Sequence, residues 1–310
     1  MAKRNFMELL RAQWAQGHFL CVGLDSEFGK IPLSAHRRGR AGYVLNAQTV
    51  FSFNRTIVGA TGDLLGAYKP NLAFYLDQGA SGVQALRNTV LFINKVAPEV
   101  PVILDAKFGD IGNTNSAYAR FVFDRLGFDA VTVHGYLGQE AMQPFLDRPE
   151  KGVIVLAKTS NPGAGEFQDR AVSITNGEAE YLTAVGVPTE TRFGAGTTAL
   201  CNLVAYQVMQ NWNANGNCAL VVGATFPQDL AAIRRIAPEM PFLIPGLGSQ
   251  GGEAEPTVLA ARDSNNQGMI LNDSRRAIFS AKDGEDIGEV SRGVVLRTQA
   301  LVAAALAQPM

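Results

Sequence analysis

The densest cluster of chemistry-bearing side chains is 105-DAKFGDIGNTN-115, in which Asp105, Lys107 and Asp110 set two acids around one lysine. It begins where an apolar run, 101-PVILD-105, ends. In an extended strand, residues two apart share a face with Cα atoms about 6.5–7 Å apart, so Asp105 and Lys107 are expected to enter one pocket, with Asp110 joining from the following loop. Negative charge nearby favours the ammonium form of a lysine and makes it a positioned proton donor. A carboxylate beside the place of a substrate carboxylate does the reverse, because like charges repel until that group leaves as neutral CO2. An isolated D-x-K is usually a strand-end salt bridge. Here Lys69 also closes an apolar run and Asp25 follows another, so four or five charges converge where apolar strands give no structural reason for them.

A second constellation is 245-PGLGSQGG-252, followed later by Ser274, Arg275 and Arg276. Glycines admit close backbone approach, and an arginine adds bidentate contacts to a phosphate. A third is 158-KTSNPG-163, which offers Thr159, Ser160 and Asn161 as neutral hydrogen-bonding groups, although Ser, Asn, Pro and Gly are also ordinary turn formers. The segment 223-GATFP-227 reads as a helix start, with Thr225 the N-cap candidate and Pro227 in the first turn. His134 ends an apolar run and reads as a pocket or core histidine, since no second histidine or acid stands at metal-ligand spacing. Tyr68, Phe74 and Phe108 read as packing residues, and the cluster His36-Arg37-Arg38-Gly39-Arg40 as a solvated loop.

These residues need a frame that gathers them at one end. Eight short apolar runs supply it, at 19–24, 67–73, 101–105, 130–134, 152–157, 219–224, 242–246 and 268–272. Each is apolar on both faces, as a buried parallel strand requires. Helix-period spacing between them, as at 117–126, 199–211 and 227–237, gives a βα alternation. Eight such units predict a closed (β/α)8 TIM barrel, one domain spanning 1–310, with long loops after strands 1 and 5 at 26–48 and 160–198. Active sites of such barrels lie at the C-terminal ends of the strands, and phosphate sites recur after strands 7 and 8. Both long loops follow strand C-termini and are candidate lids. A doubly wound open sheet is the alternative.

The 310 residues are 47% hydrophobic and 18% charged, enough to bury a full core. A net charge of -1 leaves no basic face for nucleic acid and no polybasic segment for a membrane surface. Cys21, Cys201 and Cys218 sit in apolar stretches without C-x-x-C spacing and read as structural. The N-terminal segment shows helical periodicity through Phe6, Leu9, Leu10 and Trp14, broken by Arg11, rather than a signal-peptide core; the expected compartment is the cytoplasm.

With these residues in place the chain resembles the orotidine 5'-phosphate decarboxylases, in particular their longer bacterial type. The pattern D-x-K-x-x-D-[IV]-x-x-T is matched by Asp105, Lys107, Asp110, Ile111 and Thr114, and VGLD, AYKPNLAFY, TSNPG, GATFP, PGLGSQGG and NDSR occur in matching order. The resemblance implies a cofactor-free, homodimeric lyase that converts orotidine 5'-phosphate to UMP and CO2. By position, Asp25 would bind ribose hydroxyls, Lys69 would join the charge network, and Asp105 would face the substrate carboxylate. Lys107 would protonate the ring carbon, while Asp110 and Thr114 would act across the dimer interface. Ser160 would read the pyrimidine edge beside Pro245, and Gln250, Gly251 and Arg275 would take the phosphate, with Arg276 as the competing arginine. Two positions depart from the pattern: Phe108 stands where a basic residue is usual, and Arg276 where glycine is. The nearest competing reading is an Mg2+-dependent sugar-phosphate decarboxylase sharing the barrel and D-x-K-x-x-D; the segment Lys69-Pro70-Asn71 lacks the extra carboxylate its metal needs. A nucleotide sensor is the non-enzyme alternative.

Overall fold

The computed structural model describes residues 4–39, 42, 45–192, 195–247 and 253–309. Its first five strands are β1 (Leu20–Val22), β2 (Ala67–Tyr68), β3 (Ile103–Phe108), β4 (Ala130–Val133) and β5 (Gly152–Lys158). A small antiparallel sheet follows, from β6 (Ala171–Ile174), β7 (Glu190–Arg192) and β8 (Ala195–Ala199). The chain then returns through β9 (Cys218–Val222), β10 (Phe242–Pro245) and β11 (Met269–Asp273). Each of the eight expected apolar runs overlaps one strand of a parallel sheet ordered β2-β1-β11-β10-β9-β5-β4-β3. Parallel bridges Tyr68–Val102 and Asn71–Asp105 join the two ends, so the sheet closes on itself as a (β/α)8 barrel. β2 is shorter than its apolar run because Pro70 has no N–H to continue the ladder, and a helix begins at Leu72.

The helices cover the outer faces. α1 (Phe6–Trp14) starts at Asn5, whose side chain accepts the Met7 and Glu8 N–H groups, and buries Phe6, Leu10 and Trp14. It lies across the N-terminal ends of the strands: Phe6 packs against Gly152, and Trp14 Nε1 donates to the Met269 carbonyl at 2.8 Å. α2 (Asn46–Thr61), α3 (Leu72–Leu76), α4 (Gly79–Val96), α5 (Gly112–Ala119) and α6 (Gly138–Leu146) come next. α7 (Gly165–Gln168), α8 (Asn176–Ala184) and α9 (Leu200–Gln207) follow in and after the insertion. α10 (Pro227–Ile236), α11 (Ala254–Ala261), α12 (Arg275–Phe279) and α13 (Ile287–Leu306) complete the chain. α13 packs on α2 and α11, burying Val294, Val295 and Val302 between helix layer and barrel.

Several expectations need correction. The stretch 160–198, expected as a loop, is an insertion with its own sheet and helix α8, started by Thr175 and Glu178 in a reciprocal capping box. The N-cap of α10 is Phe226, not Thr225, whose buried hydroxyl has no hydrogen-bond partner among the described residues. In the basic segment, His36 lies tilted against Phe28 with ring centroids 5.0 Å apart, and Arg37 donates to Ser52 Oγ at 2.6 and 2.9 Å, so these two side chains are held against neighbours; Arg40 lies outside the described residues. All three cysteines are buried and unpaired, and burial pushes the thiols of Cys21 and Cys218 up to about 12 and that of Cys201 to about 11. No helix among the described residues is long and apolar enough to cross a membrane.

Candidate active site

The C-terminal ends of the barrel strands surround a cavity of about 500 Å³, the size of a small-ligand site. Its walls bring together Asp25 from beyond β1, Lys69 from the end of β2, Asp105 and Lys107 from β3, Ser160 from beyond β5, Pro245 from β10 and Arg275 from beyond β11. These residues are far apart in sequence, and each lies at the end of a strand. Gly23 makes this convergence possible, because any side chain there would overlap Ser274.

Asp105 is the centre of charge. Lys69 Nζ donates to its Oδ2 at 3.0 Å and Lys107 Nζ to its Oδ1 at 2.6 Å, so an ammonium group engages each carboxylate oxygen. Asp25 Oδ1 lies 4.0 Å from Lys69 Nζ on the other side. Burial works against charge on Asp105, yet Lys69 and Lys107 outweigh it and hold the carboxyl well below the usual carboxylate range. Lys69 is only 4% exposed; burial opposes its charge too, but Asp105 and Asp25 keep its pKa above the ordinary lysine value. Lys107 is the exposed partner, its side chain 49% accessible, and its ammonium stands at the cavity wall ready to meet a bound molecule.

Simple strand alternation does not join Asp105 and Lys107. Pairing of β3 with β4 slips between Leu104–Val131 and Phe108–Val133, and Lys107 has φ +52. This is a bulge, with the lysine in the left-handed region that non-glycine residues rarely adopt. Thr132, in the middle of β4, fills the gap: its Oγ1 accepts the N–H groups of Ala106 and Lys107, both at 3.0 Å, and donates to Asp105 Oδ1 at 3.0 Å. Sequence reasoning missed Thr132. The available signal was a single hydroxyl inside the otherwise apolar run 130-AVTV-133.

Asp110, Ile111 and Thr114 are not on the cavity walls formed by the described residues of the same chain. Among the described residues no ion pair joins Asp110 to Lys107; the Asp110 Oδ1 accepts the Ile111 N–H at 2.7 Å, and Asn115 clamps its backbone through bonds of 3.1 and 2.6 Å. Ile111 is 56% exposed, as are Tyr136 at 93% and Leu137 at 41% in the loop after β4. Of the two arginines after β11, Arg275 reaches the cavity, whereas Arg276 turns away to Asp273 Oδ2 at 2.6 Å and Thr298 at 2.9 Å. Gln250 and Gly251 lie outside the described residues. Phe108, the aromatic replacement, stacks on Tyr118 with ring centroids 4.1 Å apart. His134 packs its ring on the Gly109 backbone, where any added side chain would collide. Phe74, expected to pack, also lines the cavity, as do Asn71 and Asn272, which sequence reasoning did not single out.

The fold and the site define a (β/α)8 barrel whose strand ends hold a buried Lys69–Asp105 pair, joined by the more exposed Lys107, beside an open cavity. The model of the orotidine 5'-phosphate decarboxylase / HUMPS family matches residues 20–289. The chain is 41% identical over 296 residues to the orotidine 5'-phosphate decarboxylase of Cupriavidus taiwanensis, covering 95% of this chain and 96% of that protein. It is 42% identical over 295 residues to that of Thermomicrobium roseum, covering 94% and 93%. The solved Leishmania donovani OMP decarboxylase superposes with a TM-score of 0.74 at 31% identity, over 96% of this chain and 99% of that one. The chain belongs to the orotidine 5'-phosphate decarboxylase / HUMPS family.

Proposed function

We propose that the chain decarboxylates orotidine 5'-phosphate to UMP and CO2, the last step of pyrimidine nucleotide synthesis, in the cytoplasm and without a cofactor. The observation that carries this reading is Asp105 with one ammonium group on each carboxylate oxygen, at the wall of a nucleotide-sized cavity. An ionised Asp105 repels a substrate carboxylate placed next to it, and that repulsion ends when the carboxylate departs as CO2. The bond from the ring carbon to the carboxylate breaks, and its electron pair stays on the carbon. The Lys107 ammonium stabilises that charge and then donates one proton to it, so substrate and one proton become UMP and CO2.

Lys69 stays charged to keep Asp105 ionised, Asp25 takes ribose hydroxyls, and Ser160 reads the pyrimidine edge beside Pro245. Arg275, together with Gln250 and Gly251, takes the phosphate; binding energy at that remote group serves the strained geometry at the reacting carbon. A second copy of the chain supplies Asp110 and Thr114 to its neighbour's site, making the working unit a homodimer, and Ile111 between them contacts the substrate. The exposure of Ile111, in the same segment as Asp110 and Thr114, supports this reading.

The competing reading is Mg2+-dependent sugar-phosphate chemistry, which requires carboxylate oxygens free to ligate the metal; those of Asp105 accept from lysine ammonium groups instead. Chelator treatment therefore leaves turnover of orotidine 5'-phosphate unchanged, whereas loss restored by Mg2+ favours the sugar-phosphate reading. Lys107→Ala is expected to lower kcat by about 1000-fold or more while UMP affinity stays within about tenfold. Near-normal turnover by that variant would overturn the assignment of the proton donor.

A further inference from the structure

We infer that Thr132 is a positioning residue for the decarboxylation step, holding the Lys107 backbone and the Asp105 carboxylate in one fixed geometry; this rests on the decarboxylase reading above. Thr132 is 1% exposed between Val131 and Val133. A hydroxyl there must be hydrogen-bonded to be tolerated. A threonine hydroxyl offers one donor and two acceptor sites, and all three are used. The amides of Ala106 and Lys107 donate into the oxygen, so its own proton is directed at Asp105 Oδ1, which as an ionised carboxylate only accepts.

The bulge explains why a side chain is required. Where β3 slips against β4, the Ala106 and Lys107 N–H groups take the Thr132 hydroxyl in place of a strand carbonyl. Lys107 is one of two non-glycine residues with positive φ among the described residues, the other being Asn266. Such a conformation persists only where its surroundings over-determine it, and the Thr132 bond to the Lys107 amide is that constraint. From this backbone the lysine side chain folds back to Asp105 Oδ1, the same oxygen that Thr132 engages. One hydroxyl therefore sets both the proton donor and the carboxylate that repels the leaving group. Thr132 acts through these two residues, so its loss falls on the chemical step rather than on nucleotide binding.

The test compares Thr132→Val, which keeps the shape and removes the hydroxyl, with Thr132→Ser, which keeps the hydroxyl. Steady-state kinetics with orotidine 5'-phosphate and calorimetric binding of UMP are the readouts. The valine variant is expected to lose about 100-fold in kcat with UMP affinity changed less than about threefold, and the serine variant to stay within about fivefold of the wild type. A folded valine variant with kcat within about threefold of the wild type overturns the proposal, as does an equal loss in valine and serine variants. If the valine variant does not fold, amide hydrogen exchange in the wild type decides: the Ala106 and Lys107 amides exchange slowly if the hydroxyl holds them, and exchange at unprotected rates overturns the proposal. Absence of turnover by the wild type itself would instead count against the decarboxylase reading, and the exchange measurement would still test the Thr132 bonds.

Discussion

Asp105 is 9% exposed, and two lysines set its ionisation. A carboxyl held below its unfolded value contributes stability that is complete above that value, about 3.9, and is lost as pH falls through the folded one. Lys69, held above its unfolded value of about 10.4, contributes stability that is complete below it and is lost as pH rises through the folded value. The pair is therefore intact from about pH 5 to 9. Asp105→Asn leaves Lys69 buried without its nearest carboxylate and is expected to cost about 3 kcal/mol across that window. The gap should shrink as the medium is taken below about pH 4. Denaturant titrations of both proteins at several pH values check this; a gap that persists unchanged into acid contradicts the account. The charged members of the site are legible in sequence because Asp25, Lys69, Asp105 and Lys107 interrupt or end apolar runs that need no charge. Thr132 and the bulge at Lys107 are not, because hydrophobic periodicity reports which face a residue takes and carries no information on a positive φ.

At the scale of elements, strands between buried layers announce themselves as apolar runs, and their C-terminal ends locate the site. The insertion after β5 does not, since Ala171–Ile174, Glu190–Arg192 and Ala195–Ala199 are short, with mixed polar content resembling loop composition. Lys158 ties that insertion to the barrel: fully buried at the end of β5, it pairs with Asp169 in the insertion and with Asp229 of α10 at 3.5 Å. Elements at the opposite end carry stability without chemistry. Arg234, on α10, donates to the carbonyls of Ala237, Pro238, Met240, Ala261 and Gly268 at 2.7–3.2 Å, fastening α10 to α11 and the start of β11. Arg234→Met removes these five bonds, although the Gly268 and Ala237 carbonyls still accept from the Phe242 and Met240 N–H groups, and is expected to lower stability by about 3 kcal/mol. Its kcat is expected to stay within about twofold of the wild type, because the end of the barrel it fastens is remote from the cavity. Thermal unfolding and steady-state kinetics check the two halves; a large fall in kcat in the folded variant contradicts the separation of stability from catalysis.

For the whole molecule, closure of eight strands is what turns dispersed strand ends into one cavity. Among the described residues the cavity wall so formed lacks Asp110 and Thr114 from its own chain, although both stand in the D-x-K-x-x-D-[IV]-x-x-T pattern. We propose that a second copy supplies them, so dilution through the dimer dissociation range is expected to abolish turnover in step with loss of the dimer. A fully active monomer in analytical ultracentrifugation and parallel assays contradicts that role. The central claim is the reaction itself, and it is tested most directly by mixing the purified protein with orotidine 5'-phosphate and following the ultraviolet absorbance. The account predicts a progressive change from the substrate spectrum to that of UMP at catalytic protein concentration; tight nucleotide binding with no spectral change would contradict it.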